Sequence, residues 1–478
     1  MTDKVVFFFE LHQPVRLKRL HLYSPPNLPR SIDEVFDDEA NKSILDRVVN
    51  KAYLPATRIL YESLSEVKGF KVTMSISGIL LEQLLERHRE LVDLIKDMVS
   101  KEMIDLAAQT YYHSIAWLVD RGEFREQVYE QAKLVQELFG VRPVVAENTE
   151  FIYNNDVGCE LSAMGFKVVM TEGVERVLGW RSPNYVYRNP LCGVKVLTRN
   201  YMLSDDIGFR FSNRSWVGFP LTADKYARWV RDSPGDLVVV ALDYETFGEH
   251  HWPETGIHEF LRWLPRELNR AGVRMISAAD AAAMEPKGDL DVPPWDTISW
   301  ADERDLSAWA GNDMQREALG QLRRSYFFAK ALGGRVLRLW RLLSTSDHFY
   351  YMATKTGPSG EVHSYFSHLG TPQQAYMTYS IAIYLLNREI RSLVEEDRCR
   401  LLSIRLPEEL CYHAPGRSAC TLREALELLA SNPELLESID RWSKDVFSVR
   451  VEDLIGLVSE CWARGAPHAL GGSPGRQG

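Results

Sequence analysis

No apolar run in this 478-residue chain approaches the roughly 18 residues that a membrane-crossing helix needs. The opening stretch, MTDKVVFFFELHQPV, is too short in its apolar part for a secretory leader and breaks at Glu10. A cytoplasmic location without membrane attachment is therefore expected. Positive charge is also in deficit. The 56 Lys and Arg stand against 66 Asp and Glu, a net charge of −10, which argues against a nucleic-acid partner. Cysteine is sparse, and Cys159, Cys192, Cys399, Cys411, Cys420 and Cys461 include no C-x-x-C pair. They read as scattered buried thiols of an intracellular protein, not a disulfide framework or a zinc site, with a local Cys411–Cys420 bridge as the one alternative. No pair of histidines has the H-x-x-x-H helical spacing of a metalloenzyme, and no segment repeats.

What is present is an alternation of short β-branched runs with amphipathic segments over the first 290 residues. KVVFFFEL, FKVTMSISG, IDLAAQTYY, RPVVAENTEFI, FKVVMTEG, DLVVVALDYE and VRMISAAD read as buried strands. Between them, segments such as GILLEQLLERHRELVDLIKDMVSKE carry apolar residues at helical spacing. This order predicts an α/β fold with a parallel sheet, a closed or nearly closed barrel better than an open doubly wound sheet. Residues 1–290 would form that barrel. Residues 291–397 would form a helical bundle after the Trp- and Asp-rich segment PPWDTISWADERDLSAWAGND. Residues 398–465 would form a small module opening with the strand candidate RLLSIRLP and continuing with two helical stretches, and 466–478 a disordered tail.

In parallel barrels, chemistry collects at the C-terminal ends of the strands. Here those ends carry Glu10 and His12, Gln109 and His113, Glu150, then Asp243 and Glu245. A carboxylate in a run as apolar as VVAENTEFIYNND must be paired, solvated in a cleft or functional. Two such carboxyls on one rim, Glu150 and Asp243, suit the nucleophile and acid/base of a retaining glycosidase, although each alone also fits a loop cap or an ion pair. The histidines His12, His113, His250 and His251 suit hydrogen bonding to sugar hydroxyls better than metal binding. In STSDHFYYM, Asp347 and Tyr350 end a helix and could wall a cleft, although an aromatic stripe at that spacing also suits a core. Aromatics at 11%, with 12 Trp, fit stacking platforms for sugars and large cores alike.

ELHQP, ENTEFIYNND, LDYETFGEHHW and SDHFYYMATK with GEVHSYFSHLGTP resemble, in order, the conserved regions of glycoside hydrolase family 57, and most closely its archaeal α-amylase-type branch. AQTYYHS, LSDDIGFRFSN and ISWADERDLSAWAGN are similar to that branch as well. The resemblance implies an incomplete (β/α)7 barrel followed by a helical bundle, with a small C-terminal α(+β) module. It also implies retaining action on α-1,4-glucans or maltooligosaccharides without a cofactor or metal. Glu150 matches the family's nucleophile and Asp243 its acid/base. His12 and Gln13 of the HQP motif, His113, Glu245, Trp252, Asp347 and Tyr350 match its substrate-side positions. Gln109 stands where related sequences usually offer a carboxylate. The same site would serve a 4-α-glucanotransferase if a sugar hydroxyl replaced water. More distant readings are a metal-dependent deacetylase-like hydrolase and a catalytically weak glycan-binding protein. Oligomeric state is not readable.

Overall fold

The computed structural model describes residues 1–20, 28–355, 367–396, 399, 402, 404–406, 411–447 and 450–463. The chain divides into two compact units, one of residues 1–28, 33–319 and 344–379, the other of 29–32, 320–343 and 380–478.

The first unit is an α/β structure built on a nine-stranded sheet. Its strands are β1 (Lys4–Leu11), β2 (Val72–Ile76), β3 (Ile104–Ala108), β4 (Val145–Glu147), β5 (Val168–Glu172), β6 (Val186–Arg188), β7 (Lys195–Arg199), β8 (Val238–Asp243) and β9 (Arg274–Met275). The order is β6-β7-β5-β4-β3-β2-β1-β8, with β9 also on β1. All pairings are parallel except β6 with β7. Beyond the end of β7, the Asn200 amide donates to the Val239 carbonyl of β8 at 2.8 Å. Each expected strand is present. β6 and β7 are additional, and VRMISAAD supplies only the two residues of β9.

Parallel strands covered on both faces need apolar residues on both faces, and β1 shows it. Phe7, Phe9 and Leu11 pack with Leu80, Leu84 and Leu261 of the surrounding helices. Val6 and Phe8 face the other way, with Ala107, Val145, Val168, Leu197, Val239 and Ala241. The inward alternation of period two then turns polar at the strand ends, where Glu10, Ser75, Glu147, Glu172, Arg199 and Asp243 continue it. That switch positions the site.

GILLEQLLERHRELVDLIKDMVSKE forms two helices, Gly78–Arg87 and Arg89–Ser100, instead of one. His88 between them adopts φ −139° and ψ 49° while its Nε2 bonds Asp46 Oδ1 at 2.7 Å, a tertiary tie that overrides helical periodicity.

In the second unit, residues 404–406 of RLLSIRLP carry no strand. The sheet there is the hairpin of β10 (Tyr412–Ala414) and β11 (Arg417–Ala419). Three helices follow, Leu422–Ser431, Leu436–Phe447 and Val451–Ala463, because Asn432-Pro433 breaks the first expected stretch. The tail 466–478 and the GEVHSYF part of the quoted motif lie outside the described residues.

The cysteine reading is corrected. Cys159 pairs with Cys192, Cys399 with Cys461 and Cys411 with Cys420, at Cα separations of 5.4, 5.6 and 4.4 Å. Only the last pair is near enough in sequence for spacing to suggest it. Among the described residues no helix is long and apolar enough to cross a membrane.

Candidate active site

Glu150 follows β4 in a single tight turn, Thr149–Phe151. Its backbone has φ 62° and that of Phe151 φ 51°; His113, after β3, has φ 48°. Side-chain-bearing residues pay about 1–3 kcal/mol for such strain, which collects where geometry is over-determined for function. Phe151 anchors the turn by packing on Phe8 and Trp300 at ring separations of 5.6 and 5.0 Å. The strain aims the Glu150 carboxylate at a ring of donors. Trp300 Nε1 donates to Oε2 at 2.7 Å, Ser346 Oγ donates to Oε1 at 2.8 Å, and His113 Nε2 lies 3.5 Å from Oε1. Trp300 comes from the ISWADERDL segment, and Ser346 is the first residue of helix Ser346–Tyr350.

Asp243 ends β8, half-buried, directly beside Glu10 of β1 in register. Burial raises its pKa well above the ordinary carboxyl value, and the negative Glu245, Glu10 and Glu150 raise it further against Arg199. A carboxyl held in the acid form can donate a proton. Glu245, two residues on, is buried. Its Oε1 accepts from Gln13 Nε2 at 2.8 Å and from the Tyr53 hydroxyl, while Arg16 braces Gln13 Oε1 at 2.7 Å. Burial pushes Glu245 up to about 7 against those hydrogen bonds. The loop that follows is pinned at Gly248, with φ 140°, where a Cβ would sit 2.0 Å from the Lys51 carbonyl oxygen.

His12 bonds Ser77 Oγ through Nδ1 at 2.8 Å and faces Asp347 Oδ2 through Nε2 at 3.2 Å. Its ring stacks on His113 with centroids 4.2 Å apart. Burial, then the charge of His113, lowers His12 to about 4, so it is neutral near pH 7. Burial opposes ionisation of Asp347, but the bond from His12 and the positive charge of His113 and Arg16 outweigh it and hold the carboxyl below its usual range. Gln109 is fully buried. Its Oε1 meets His113 Nδ1 at 2.8 Å and its Nε2 donates to Ser75 Oγ at 2.9 Å. Tyr350 packs on Trp309 at 6.4 Å, and burial followed by the charge of Glu150 raises its hydroxyl.

His12, Gln109, His113, Glu150 and Asp347 thus form one bonded cluster, and Gln13 and Glu245 form a second that meets Asp243 through charge. Trp252 is not drawn into either. It is 64% exposed, with Lys51 Nζ 5.7 Å from its ring centre. His251 is structural, held by Ser212 Oγ at 2.7 Å and the Gly208 carbonyl at 3.0 Å. Sequence reasoning missed Trp300, Ser346, Ser77 and Tyr53 as partners. The first two lie inside quoted motifs, but nothing in the sequence directs their side chains to Glu150. It also missed the buried network behind the rim, where Glu172 holds Arg199 at 2.9 Å and Arg304 at 3.1 Å. Arg199 bonds the Ala241 carbonyl of β8 at 2.9 Å. Among the described residues no group of three or more His, Cys, Asp or Glu is arranged to hold a metal ion.

The pattern of Glycosyl hydrolase family 57 matches residues 6–294. A Methanocaldococcus jannaschii protein named "Putative alpha-amylase" is 42% identical over 403 residues, 82% of this chain and 85% of that protein. An alpha-amylase of Pyrococcus abyssi is 33% identical over 82 residues, 17% of this chain and 12% of that one. Among solved structures, a GH57-type branching enzyme of Pyrococcus horikoshii matches with a TM-score of 0.59 at 13% identity, over 84% of this chain and 96% of that one. The 4-alpha-glucanotransferase of Thermococcus litoralis gives 0.58 at 14% identity, over 81% of this chain and 60% of that one. At such identities these two likenesses are of fold alone.

Proposed function

The chain belongs to glycosyl hydrolase family 57 and is a glycoside hydrolase, and on that premise we propose that it acts on α-1,4-glucans with retention, Glu150 as nucleophile and Asp243 as acid/base. One observation carries the assignment. The two carboxyls sit in opposed environments, Glu150 ringed by the hydrogen-bond donors of Trp300 and Ser346, and Asp243 beside negative groups that, together with desolvation, favour its acid form.

In the first step a Glu150 oxygen attacks the anomeric carbon while Asp243 gives its proton to the departing glycosidic oxygen. In the second, Asp243 takes a proton from water, the water oxygen attacks the same carbon, and Glu150 leaves as carboxylate. His12, neutral and oriented by Ser77, and Asp347 beside it would receive sugar hydroxyls at the cleaved bond. Gln13 holds Glu245 close to Asp243, Tyr350 walls the cleft, and the exposed Trp252 ring offers a face for a sugar further out. The proposal includes the incomplete (β/α)7 barrel, whose open seam would fall between β7 and β8. It also includes the bundle after it and a cytoplasmic setting, where disulfides persist chiefly in hyperthermophiles.

The test is product analysis on maltoheptaose by proton NMR, with Glu150→Gln and Asp243→Asn beside the wild type. New reducing ends that appear first as the α-anomer, absent from Glu150→Gln, are expected. Redistribution of chain lengths without new reducing ends would make the enzyme a glucanotransferase. Turnover that survives Glu150→Gln would remove Glu150 from the nucleophile's place.

A further inference from the structure

Beyond the pair proposed to do the bond chemistry, His113 has an acceptor oxygen facing each of its ring nitrogens. Its Nδ1 faces two oxygens, Gln109 Oε1 at 2.8 Å and Glu10 Oε1 at 3.1 Å. Its Nε2 faces Glu150 Oε1 at 3.5 Å. Gln109 Nε2 donates to Ser75 Oγ, which sets the amide with its oxygen toward His113, and Glu10 Oε1 faces the same ring nitrogen whichever way that amide is turned. Both ring nitrogens therefore point at acceptors, and a neutral imidazole would turn a lone pair toward one of them. Only the imidazolium, with a hydrogen on each nitrogen, meets both.

A buried cation needs a counter-charge. On the Nδ1 side Gln109 is neutral, so there the counter-charge comes from Glu10, 3% exposed at the end of β1, whose carboxyl burial pushes up while the neighbouring His113 pulls it down. The other titratable groups around His113 fit that assignment. His12 is stacked face to face on it and is kept neutral in part by its charge. Asp347, on the helix opposite, is held ionised in part by it. Glu147, buried in β4, is driven toward its acid form first by burial and then by the charge of Glu10. Burial opposes the charge on His113 itself, and Glu10 and Glu150 on either side overcome it.

We propose that Glu10 is a positioning residue that fixes His113 as an imidazolium against Glu150, so that the nucleophile starts as an anion and departs as one. The inference rests on the proposed role of Glu150. In the glycosyl-forming step the imidazolium sets a positive charge and a donor 3.5 Å from the attacking carboxylate. In the hydrolytic step it stabilises the negative charge that returns to Glu150 as the carbon–oxygen bond breaks. His113 neither gains nor loses a proton over the cycle, and the proton traffic stays with Asp243.

The test begins with the wild-type protein and needs no turnover. Nitrogen-15 NMR of labelled histidine, with His113 assigned by its absence in His113→Gln, should show both ring nitrogens protonated at pH 7 and still so at pH 8. A neutral ring in the wild type at pH 7 would overturn the inference even if the protein hydrolyses glucans. Glu10→Gln should let His113 lose its proton within that range, reduce kcat/KM on maltoheptaose by roughly tenfold or more, and shift the acid limb of the pH profile upward. Moving the carboxylate to the other side of the same nitrogen, Glu10→Gln with Gln109→Glu, should restore the imidazolium signal and most of the activity. A merely structural role for Glu10 predicts the opposite, an equal loss at every pH with no rescue by the second substitution. If maltoheptaose is not turned over at all, the α-glucan reading fails while the NMR result still decides the Glu10–His113 relationship.

Discussion

Trp300 donates its indole N–H to Oε2 of Glu150 at 2.7 Å, joining two residues 150 positions apart in the chain. The backbone returns the tie, since the Trp300 amide bonds the Glu150 carbonyl at 3.1 Å. Behind it, the Arg304 guanidinium accompanies the Trp300 carbonyl and pairs with buried Glu172 at 3.1 Å. The loop is thus held from both sides to present one donor to one carboxylate oxygen.

Replacing that donor tests its purpose. Trp300→Phe keeps an aromatic ring near Phe151 but removes the hydrogen bond to a charged acceptor, worth about 1.5–3 kcal/mol. The expected result is a fall in kcat/KM on maltoheptaose of roughly 10- to 100-fold. The loss should appear mainly in kcat, with the thermal midpoint close to that of the wild type. A loss confined to KM would mean that Trp300 serves substrate and not Glu150.

The two acids at the end of β8 predict a pH effect with a definite sign. As the proposed acid, Asp243 has to be protonated to start the reaction, so activity is expected to fall as pH rises through its raised pKa, which would give the alkaline limb. Glu245 ionises near 7 and, once negative, pushes Asp243 higher. Glu245→Gln keeps an oxygen for Tyr53 and Gln13 but removes the charge. The alkaline limb of kcat/KM should therefore move to lower pH. A limb that stays put, or moves up, would show that Asp243 does not sense Glu245 and that another group sets it.

The limits of the sequence follow from the same contacts. Asp243 is legible because it ends a β-branched run, and Glu150 because it sits among apolar residues just past one, where burial makes a carboxylate costly without a use. His113 and Trp300 are legible as motif members, yet their relation to Glu150 is not. A positive φ at Glu150 and a hydrogen bond across 150 residues leave no local trace. β7 was missed because Lys195–Arg199 begins and ends with a cation, which reads as a solvated segment. In the fold, Arg199 is buried against Glu172 and Asp205 at 2.9 and 2.6 Å, so its charge is matched from other elements. The cysteines mislead for the same reason. Separations of 33 and 62 residues say nothing of proximity until the chain between them is folded.

The longest of these bridges, Cys399–Cys461, closes a loop of 62 residues around the second unit. Those residues include helix Leu436–Phe447, whose Trp442 packs on Tyr412 and Phe447 at 5.9 and 5.6 Å. Chain entropy assigns a loop of that length about 4 kcal/mol of stabilisation through the unfolded state. Cys399→Ser with Cys461→Ser should therefore lower the opening free energy of that helix by about this amount, a rise in amide exchange of roughly a thousandfold. Native-state hydrogen exchange on the double variant reads it directly. The shorter bridge, Cys411–Cys420, spans 9 residues and should matter less by the logarithm of its length. Equal protection in the wild type and the Cys399/Cys461 variant would mean either that these sulfurs are not joined in solution or that the loop is already ordered before the helix opens. Mass spectrometry of the alkylated, unreduced wild type separates the two, since a joined pair takes up no alkylating reagent.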